Sequence, residues 1–271
     1  MRKKVHLKYP AQVPETPRST RRRMTFRERR QAILQATIFL LEGKNPQDVT
    51  TKDIADAAQI SEALLYQHFK SKEDLFDAVH DVLCQRIPAL DRAIDAATPS
   101  TQSLVLYFYL LAWISIKRPT AIKIDPLFPR LMMQSIMGDR SFALLHEERR
   151  LQGLCDLVAH SLIAAQRSAD LQPGVSFGSD LKEARLAFWF GVHLITMVYL
   201  NKVGEKPHSH YPENLDELID RTMGFLLLGV GLKRDVIEKY YQAKILEDTV
   251  MNLISNGKIR EKGGVDVSRN T

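Results

Sequence analysis

Between Ser61 and Lys72 the chain places a carboxylate, a phenol, a carboxamide, an imidazole and two ammonium groups within twelve residues: Ser61-Glu62-Ala63-Leu64-Leu65-Tyr66-Gln67-His68-Phe69-Lys70-Ser71-Lys72. If Ile60, Leu65 and Phe69 turn inward at helical spacing, Glu62, Ala63, Leu64, Tyr66, Gln67 and His68 are left on exposed or partly exposed faces. A Tyr-Gln-His surface is unusual on a helix that only packs. Lys70 and Lys72 follow it where a phosphate would be met. This is the chemistry of recognition rather than of bond making. The sequence holds no glycine-rich phosphate loop, no Gly-x-Ser-x-Gly and no His-Glu-x-x-His, so neither an enzyme nor a cofactor is expected. Cys84 and Cys155 lie far apart with no Cys or His at metal-ligand spacing. That argues against a disulfide framework or a zinc site and fits a reducing cytoplasm.

These side chains need a short helix held at a fixed angle, and the preceding residues supply one. From about Thr25, Ile33, Leu34, Thr37, Ile38 and Leu41 recur at three- and four-residue steps, the stripe of an amphipathic helix. Gly43, Asn45 and Pro46 end it, and Asn45 can adopt the left-handed conformation common at helix ends. Thr50 with Asp53 three residues on is a capping box for a second helix over Thr51 to Ala58, where Ala55 and Ala58 allow a close crossing. After a tight break at Gln59-Ile60-Ser61, Ser61 caps the third helix, and Ser71 caps a fourth with Glu73 and Asp74 in its first turn. Two short helices joined this tightly are the pattern of a helix-turn-helix.

The run Ile54-Ala55-Asp56-Ala57-Ala58-Gln59-Ile60-Ser61 followed by Leu65-Tyr66-Gln67-His68-Phe69-Lys70-Ser71-Lys72-Glu73-Asp74-Leu75 resembles the TetR-family DNA-binding domain, from about Arg30 to Leu83. The resemblance implies double-stranded operator DNA as partner. It implies phosphate contacts from Thr50, Tyr66, His68, Lys70 and Lys72, with Glu62, Ala63, Leu64 and Gln67 facing base edges and Ser61 also among the DNA-binding residues. Gln67 can pair bidentately with adenine, and Glu62 can accept from cytosine N4 or repel phosphate at wrong sites. Leu64, where the family often has a small polar residue, can touch a thymine methyl or pack. Gln59 stands where the family usually has glycine, so either the turn bends differently or Gln59 is mildly strained.

The charge is unevenly placed. Residues 1–30 hold eleven Lys and Arg against Glu15 and Glu28, a surplus of nine in a chain whose net charge is +6. Residues 31–80 hold four Lys against eight acids. The helix-turn-helix is thus itself acidic, and residues 1–24 read as a flexible basic arm, broken by Pro10, Pro14 and Pro17, that suits a polyanion. The arm has no apolar core of the kind a secretory signal needs.

Downstream, no segment alternates like a strand, and the fold class expected is all-α: a helix-turn-helix domain over 25–72 and a larger helical effector-binding and dimerisation domain over 73–256, with a polar tail over 257–271. Helices are expected at about Glu73–Ala96, Thr101–Ile116, Pro126–Met137, Phe142–Ser168, Leu181–Lys202, Asn214–Leu232 and Arg234–Asn256. Two apolar runs, Leu104–Ile116 and Leu186–Leu200, fall short of a membrane span and read as buried helices, so no membrane partner is expected. The second run is apolar on nearly every side and needs partners all round. The resemblance implies a homodimer through residues 181–202 and 214–232 and a small apolar effector. Phe108, Tyr109, Trp113, Met132, Met133, Phe190, His193 and Met197 supply large, adaptable apolar surface for such an effector. Glu147-Glu148-Arg149-Arg150 reads as a solvated charge run. The function implied is a transcriptional repressor released by that ligand. The alternative is a TetR-like protein controlled by a protein partner or acting without ligand, in nucleoid organisation or as a master regulator.

If the arm grips phosphate, deleting residues 1–23, which hold eight basic groups, should leave the fold intact. It should also flatten the dependence of log affinity on log salt by about 0.9 for each phosphate that the arm neutralises. DNA titrations at several salt concentrations check this, and an unchanged slope would make the arm a bystander.

Overall fold

The computed structural model describes residues 24–84, 87–117, 125, 127–178, 180–203 and 209–261. The expected basic arm lies outside the described residues but for Met24, and so does the tail from residue 262 on. Among the described residues there are thirteen α-helices and no strand beyond one isolated bridge, Leu171 to Leu232. No described helix is long and apolar enough to cross a membrane.

Local chemistry fixes the N-terminal helices. Thr25 caps α1 (Phe26–Gly43) in a reciprocal capping box with Glu28, which satisfies amide donors a bare helix end leaves open. Asn45 is extended rather than left-handed, which corrects the expected helix end. It introduces a single 3-10 turn, Pro46–Asp48, and donates its carboxamide to Asp48 at 3.0 Å. Thr50 and Asp53 form the second capping box at α2 (Thr51–Ala57), Ser61 caps α3 (Glu62–His68), and Ser71 caps α4 (Lys72–Leu83). The break between α2 and α3 turns at Gln59 with φ +54°, so the departure from glycine is met by a left-handed glutamine.

The expected single helix over 73–96 is two helices. α4 stops at Leu83, and α5 (Pro88–Asp95) starts with Pro88 in its first turn. Proline has no amide hydrogen to donate and pushes the residue before it out of the helical region; Ile87 is at φ −116°, ψ 89°. Beyond it run α6 (Thr101–Lys117), α7 (Leu127–Met137) and α8 (Ser141–His146). A turn of π-helix over Glu147–Leu151 joins α8 to α9 (Gln152–Arg167), and α10 (Lys182–Val203) and α11 (Leu215–Gly229) follow. The expected last helix is also two, α12 (Arg234–Tyr240) and α13 (Ala243–Glu261). Tyr241 leaves the helical conformation between them and donates its hydroxyl to Asp220 at 2.7 Å. α13 runs past the expected boundary at residue 256.

Two hydrophobic clusters result. The larger is centred on α6, which packs against α9, α10, α11 and α13. Phe108 and Phe188 are fully buried there, each contributing about 1.5–3 kcal/mol by the removal of its side chain from water. Gly191 on α10 lets this packing close: a Cβ there would stand 2.6 Å from Phe108 Cε1 and 3.1 Å from Leu226 Cδ1. The smaller cluster unites α1 to α4 through Ile33, Leu41, Ile54, Leu65, Phe69, Leu75 and Val79, and also takes in Phe128 and Leu131 of α7 and Phe142 of α8. A boundary at residue 72 would therefore cut through one continuous core.

Because a left-handed non-glycine residue costs about 1–2 kcal/mol, Gln59→Gly should stabilise the protein slightly. Its gain of about 0.5 kcal/mol is what remains after the extra chain entropy of glycine. Gln59→Val should lower stability by at least about 1 kcal/mol. Thermal unfolding of both variants checks the pair, and equal midpoints would show that the turn is not strained.

Candidate functional site

The third helix presents its polar face as the spacing requires. Ser61, Glu62, Ala63, Tyr66 and Gln67 are exposed, Leu64 is half-buried, and Leu65 and Phe69 are buried beneath them. Glu62 is not a free carboxylate, since it accepts the Thr51 hydroxyl at 2.8 Å and so ties the starts of α2 and α3 together. Thr50 is committed too: its hydroxyl accepts the Asp53 amide at 3.1 Å and donates to the Asp53 carboxylate at 2.8 Å. The Thr50 amide, the Thr50 hydroxyl and then Lys44 hold the Asp53 carboxyl down at about 2. The cap fixes the start of α2 and fills its first amides from within the chain.

His68 is half-buried and lies against the Phe26 ring at 4.2 Å between centroids. Burial, and then Arg29 and Arg30, push its imidazole below the ordinary range, so at neutral pH it is an uncharged packing group with an N–H rather than a cation. Lys70 is exposed. Lys72 is half-buried: its ammonium donates to Pro46 O at 3.4 Å and lies 5.2 Å from the Phe76 ring centroid. The structure thus brings Ala63, Tyr66, Gln67 and Lys70 together on one open surface and engages Thr50, Glu62, His68 and Lys72 internally beside it.

A second site lies in the larger domain. A cavity of about 620 Å³, open on one side, lies between α5, α6, α7, α8, the π turn, α9 and α10. Met132, Met133 and His193 line it. Phe108, Tyr109 and Trp113 do not: all three are buried in the core around α6, and the Trp113 indole donates to Glu247 at 3.3 Å. Phe190 and Met197 are not on the wall either; they face outward, 64% and 58% exposed. The wall contains Trp189, Ile114, Leu111 and Leu154, with His146, Arg140, Arg150, Glu147 and Thr196 as polar positions. Glu147 and Arg150 escaped the sequence reading because 147–150 has the composition of a solvated face. Instead Arg149 and Arg150 reach back to α4, pairing with Asp77 and Asp81, each at 2.6 Å.

The cavity and the DNA-binding core share a wall. Phe128 on α7 belongs to the N-terminal hydrophobic cluster and also lines the cavity. His146, a cavity residue, shares a hydrogen bond of 2.9 Å with His80 of α4, and the Phe128 and Phe142 rings pack around His80. Burial pushes both imidazoles down, His80 to about 4 and His146 to about 3, with Arg150 opposing their charge as well; both are neutral at pH 7. The same wall is bolted to the helix-turn-helix elsewhere, since Arg130 donates to Leu41 O and the Asp139 amide to Gln47 Oε1.

A helix-turn-helix presented on an all-helical body is the arrangement of a DNA-binding regulator. Residues 33–79 match the bacterial regulatory proteins of the tetR family. The nucleoid occlusion factor SlmA of Sodalis glossinidius is 30% identical over 172 residues, spanning 60% of this chain and 77% of that protein. SlmA of Shewanella frigidimarina is 28% identical over 196 residues, 68% of this chain and 90% of its own length. Among solved structures, NalD, the secondary repressor of the MexAB-OprM multidrug efflux pump in Pseudomonas aeruginosa, superposes with a TM-score of 0.52 at 19% identity, covering 78% of this chain and all of NalD. The chain belongs to the TetR family and is a DNA-binding regulator.

Gln67→Ala should weaken binding to the protein's specific site by about 1–3 kcal/mol while leaving binding to random duplex nearly unchanged. Lys70→Ala should weaken both. Titration of each variant against the two duplexes checks this, and an unchanged specificity ratio for Gln67→Ala would remove it as a base reader.

Proposed function

We propose that the protein is a transcriptional repressor that binds operator DNA as a homodimer and is released by a small, mainly apolar ligand in the cavity. In this reading Tyr66 and Lys70 meet phosphates, while Ala63 and Gln67 face base edges. The observation that carries the reading is the wall shared by the cavity and the DNA-binding core. A molecule that displaces Phe128 or His146 from the cavity side moves groups in direct contact with the cluster that holds α1 to α4. Such a wall gives a ligand different contacts in two arrangements of the same module, which is what a shift in DNA affinity requires.

The homodimer is supported by an outward-facing apolar stripe on α10, with Leu186, Phe190 and Met197 all more than half exposed, and by Phe225 on α11, 72% exposed. A stripe of this kind on a monomer would be an association liability. A paired helix-turn-helix reads two half-sites related by the symmetry that joins the copies.

A second reading is favoured by the similarity to nucleoid occlusion factors: the chain would bind dispersed sites and answer to a protein partner rather than a ligand. Genome-wide mapping of bound DNA separates the two, since a repressor occupies a few promoters and a nucleoid-organising protein many dispersed sites.

Because Trp189, not Trp113, lies on the cavity wall, a bound ligand should change Trp189 fluorescence, and a Trp189→Phe variant should lose that signal. The same ligand should lower operator affinity, and operator DNA should lower ligand affinity by the same factor. A compound that changes Trp189 emission and binds free and DNA-bound protein equally well is not the inducer.

A further inference from the structure

The wall between the cavity and α4 carries a donor that nothing in the chain satisfies. Arg150, in the π turn, lines the cavity with its side chain only 11% exposed. Its Nη2 donates to the Asp81 carboxylate at 2.6 Å and to Cys84 O at 3.1 Å, both at the C-terminal end of α4. Its Nε is buried and has no hydrogen-bond partner. Buried guanidinium donors are ordinarily filled, so an open one on the wall of a cavity marks where the acceptor of a guest belongs. His146 and Cys84 line the same cavity. Much of the remaining wall is apolar, with Leu111, Ile114, Met132, Met133, Leu154 and Trp189. Arg140 is also on the wall, but it is exposed and keeps its water.

We propose that the cavity takes an amphipathic monocarboxylic acid, its apolar body among these side chains and its carboxylate on Arg150, where it competes with Asp81 for the guanidinium. This rests on the ligand reading above and names the class of the ligand. A cavity of about 620 Å³ has the size that buries a guest of drug-like bulk. A carboxylate is a planar acceptor of single charge, the group that guanidinium donors match best. A neutral acceptor would fill Nε but gain less from the charge. A phosphate dianion would meet the Glu147 carboxylate on the same wall and be repelled by it. Burying a carboxylate is costly unless it is both paired and hydrogen-bonded, and Arg150 offers a charge and an open donor together. The competition follows because one guanidinium then serves two carboxylates, and Asp81 is half exposed and readily hydrated when released. Drawing Arg150 toward the cavity weakens its hold on Asp81 and on Cys84 O. That loosens the C-terminal end of α4, whose Leu75, Val79 and Leu83 belong to the DNA-binding core.

The test uses the full-length protein, with decanoate, decan-1-ol and decylamine each displacing N-phenyl-1-naphthylamine, a neutral apolar fluorophore that brightens out of water. Wild-type protein should bind decanoate about tenfold more tightly than decan-1-ol, or better. Arg150→Met should erase that preference. Asp81→Asn removes the competitor from a half-exposed position, so it should tighten decanoate by about threefold or more and leave decan-1-ol unchanged. A residue that merely held α4 in place would not move the acid and the alcohol apart. Equal or tighter binding of decan-1-ol or decylamine by the wild type overturns the inference and leaves the ligand reading standing. So does fluorophore binding that none of the three displaces, or a preference for decanoate that survives in a folded Arg150→Met. If Arg150→Met loses its helical circular dichroism, Asp81→Asn decides, and an unchanged ratio of acid to alcohol overturns the inference. A wild-type protein that binds neither the fluorophore nor any of the three compounds overturns the ligand reading as well.

Discussion

The packing of α10 constrains everything else in the larger domain, because this helix offers almost no polar face to water. A helix apolar on one side can rest on a core and leave its other side solvated; one apolar all round must find separate cover for each face. Here α6 and α11 approach closely enough over Gly191 that a methyl group would collide with Phe108. The tight seam on that side leaves the adjacent face looking into the cavity between α10 and α7. The cavity is thus the space that remains when a rigid helix is drawn hard against one neighbour and not against the other.

The other organising contact is the junction around His80 and His146. Two imidazoles sharing one hydrogen bond among phenylalanine rings are stable there only while uncharged. Their suppressed basicity follows from burial together with the guanidinium of Arg150. The ion pairs of Arg149 and Arg150 with α4 lie at the edge of the same junction. The joint is therefore aromatic and uncharged in the middle and charged at the rim, with the His80 Nδ1 and the Arg150 Nε buried in it without a hydrogen-bond partner.

What the sequence discloses follows the range of the forces involved. Caps at Thr25, Thr50, Ser61 and Ser71 are decided within four residues, so the start of each N-terminal helix is readable, as is the presence of an exposed Tyr66 and Gln67. The strained turn at Gln59 is legible as an anomaly because glycine is the residue that fits a left-handed position without cost. The break before Pro88 is also local, but the apolar periodicity running through residues 73–96 masks it. The cavity is different in kind. Trp113 and Trp189 have the same chemistry and both sit in apolar helical runs, and only the three-dimensional approach of α6 to α13 sends one to a half-buried carboxylate on α13 and the other to a cavity wall. Likewise nothing in the composition of Glu147-Glu148-Arg149-Arg150 says that two of its four charges will turn back onto α4.

The reach of α7 and α8 into the N-terminal cluster bears on how such proteins can be recombined. Phe128, Leu131 and Phe142 come from more than forty residues downstream of α4, yet they fill the same core as Ile33 and Leu65. The DNA-reading part of this chain is therefore not an exchangeable cassette. A chimera joined after α4 would give a foreign partner the task of filling three large vacancies and of facing His80 with a matching group. A working chimera would carry α7 and α8 along, or have both sides of the joint rebuilt together.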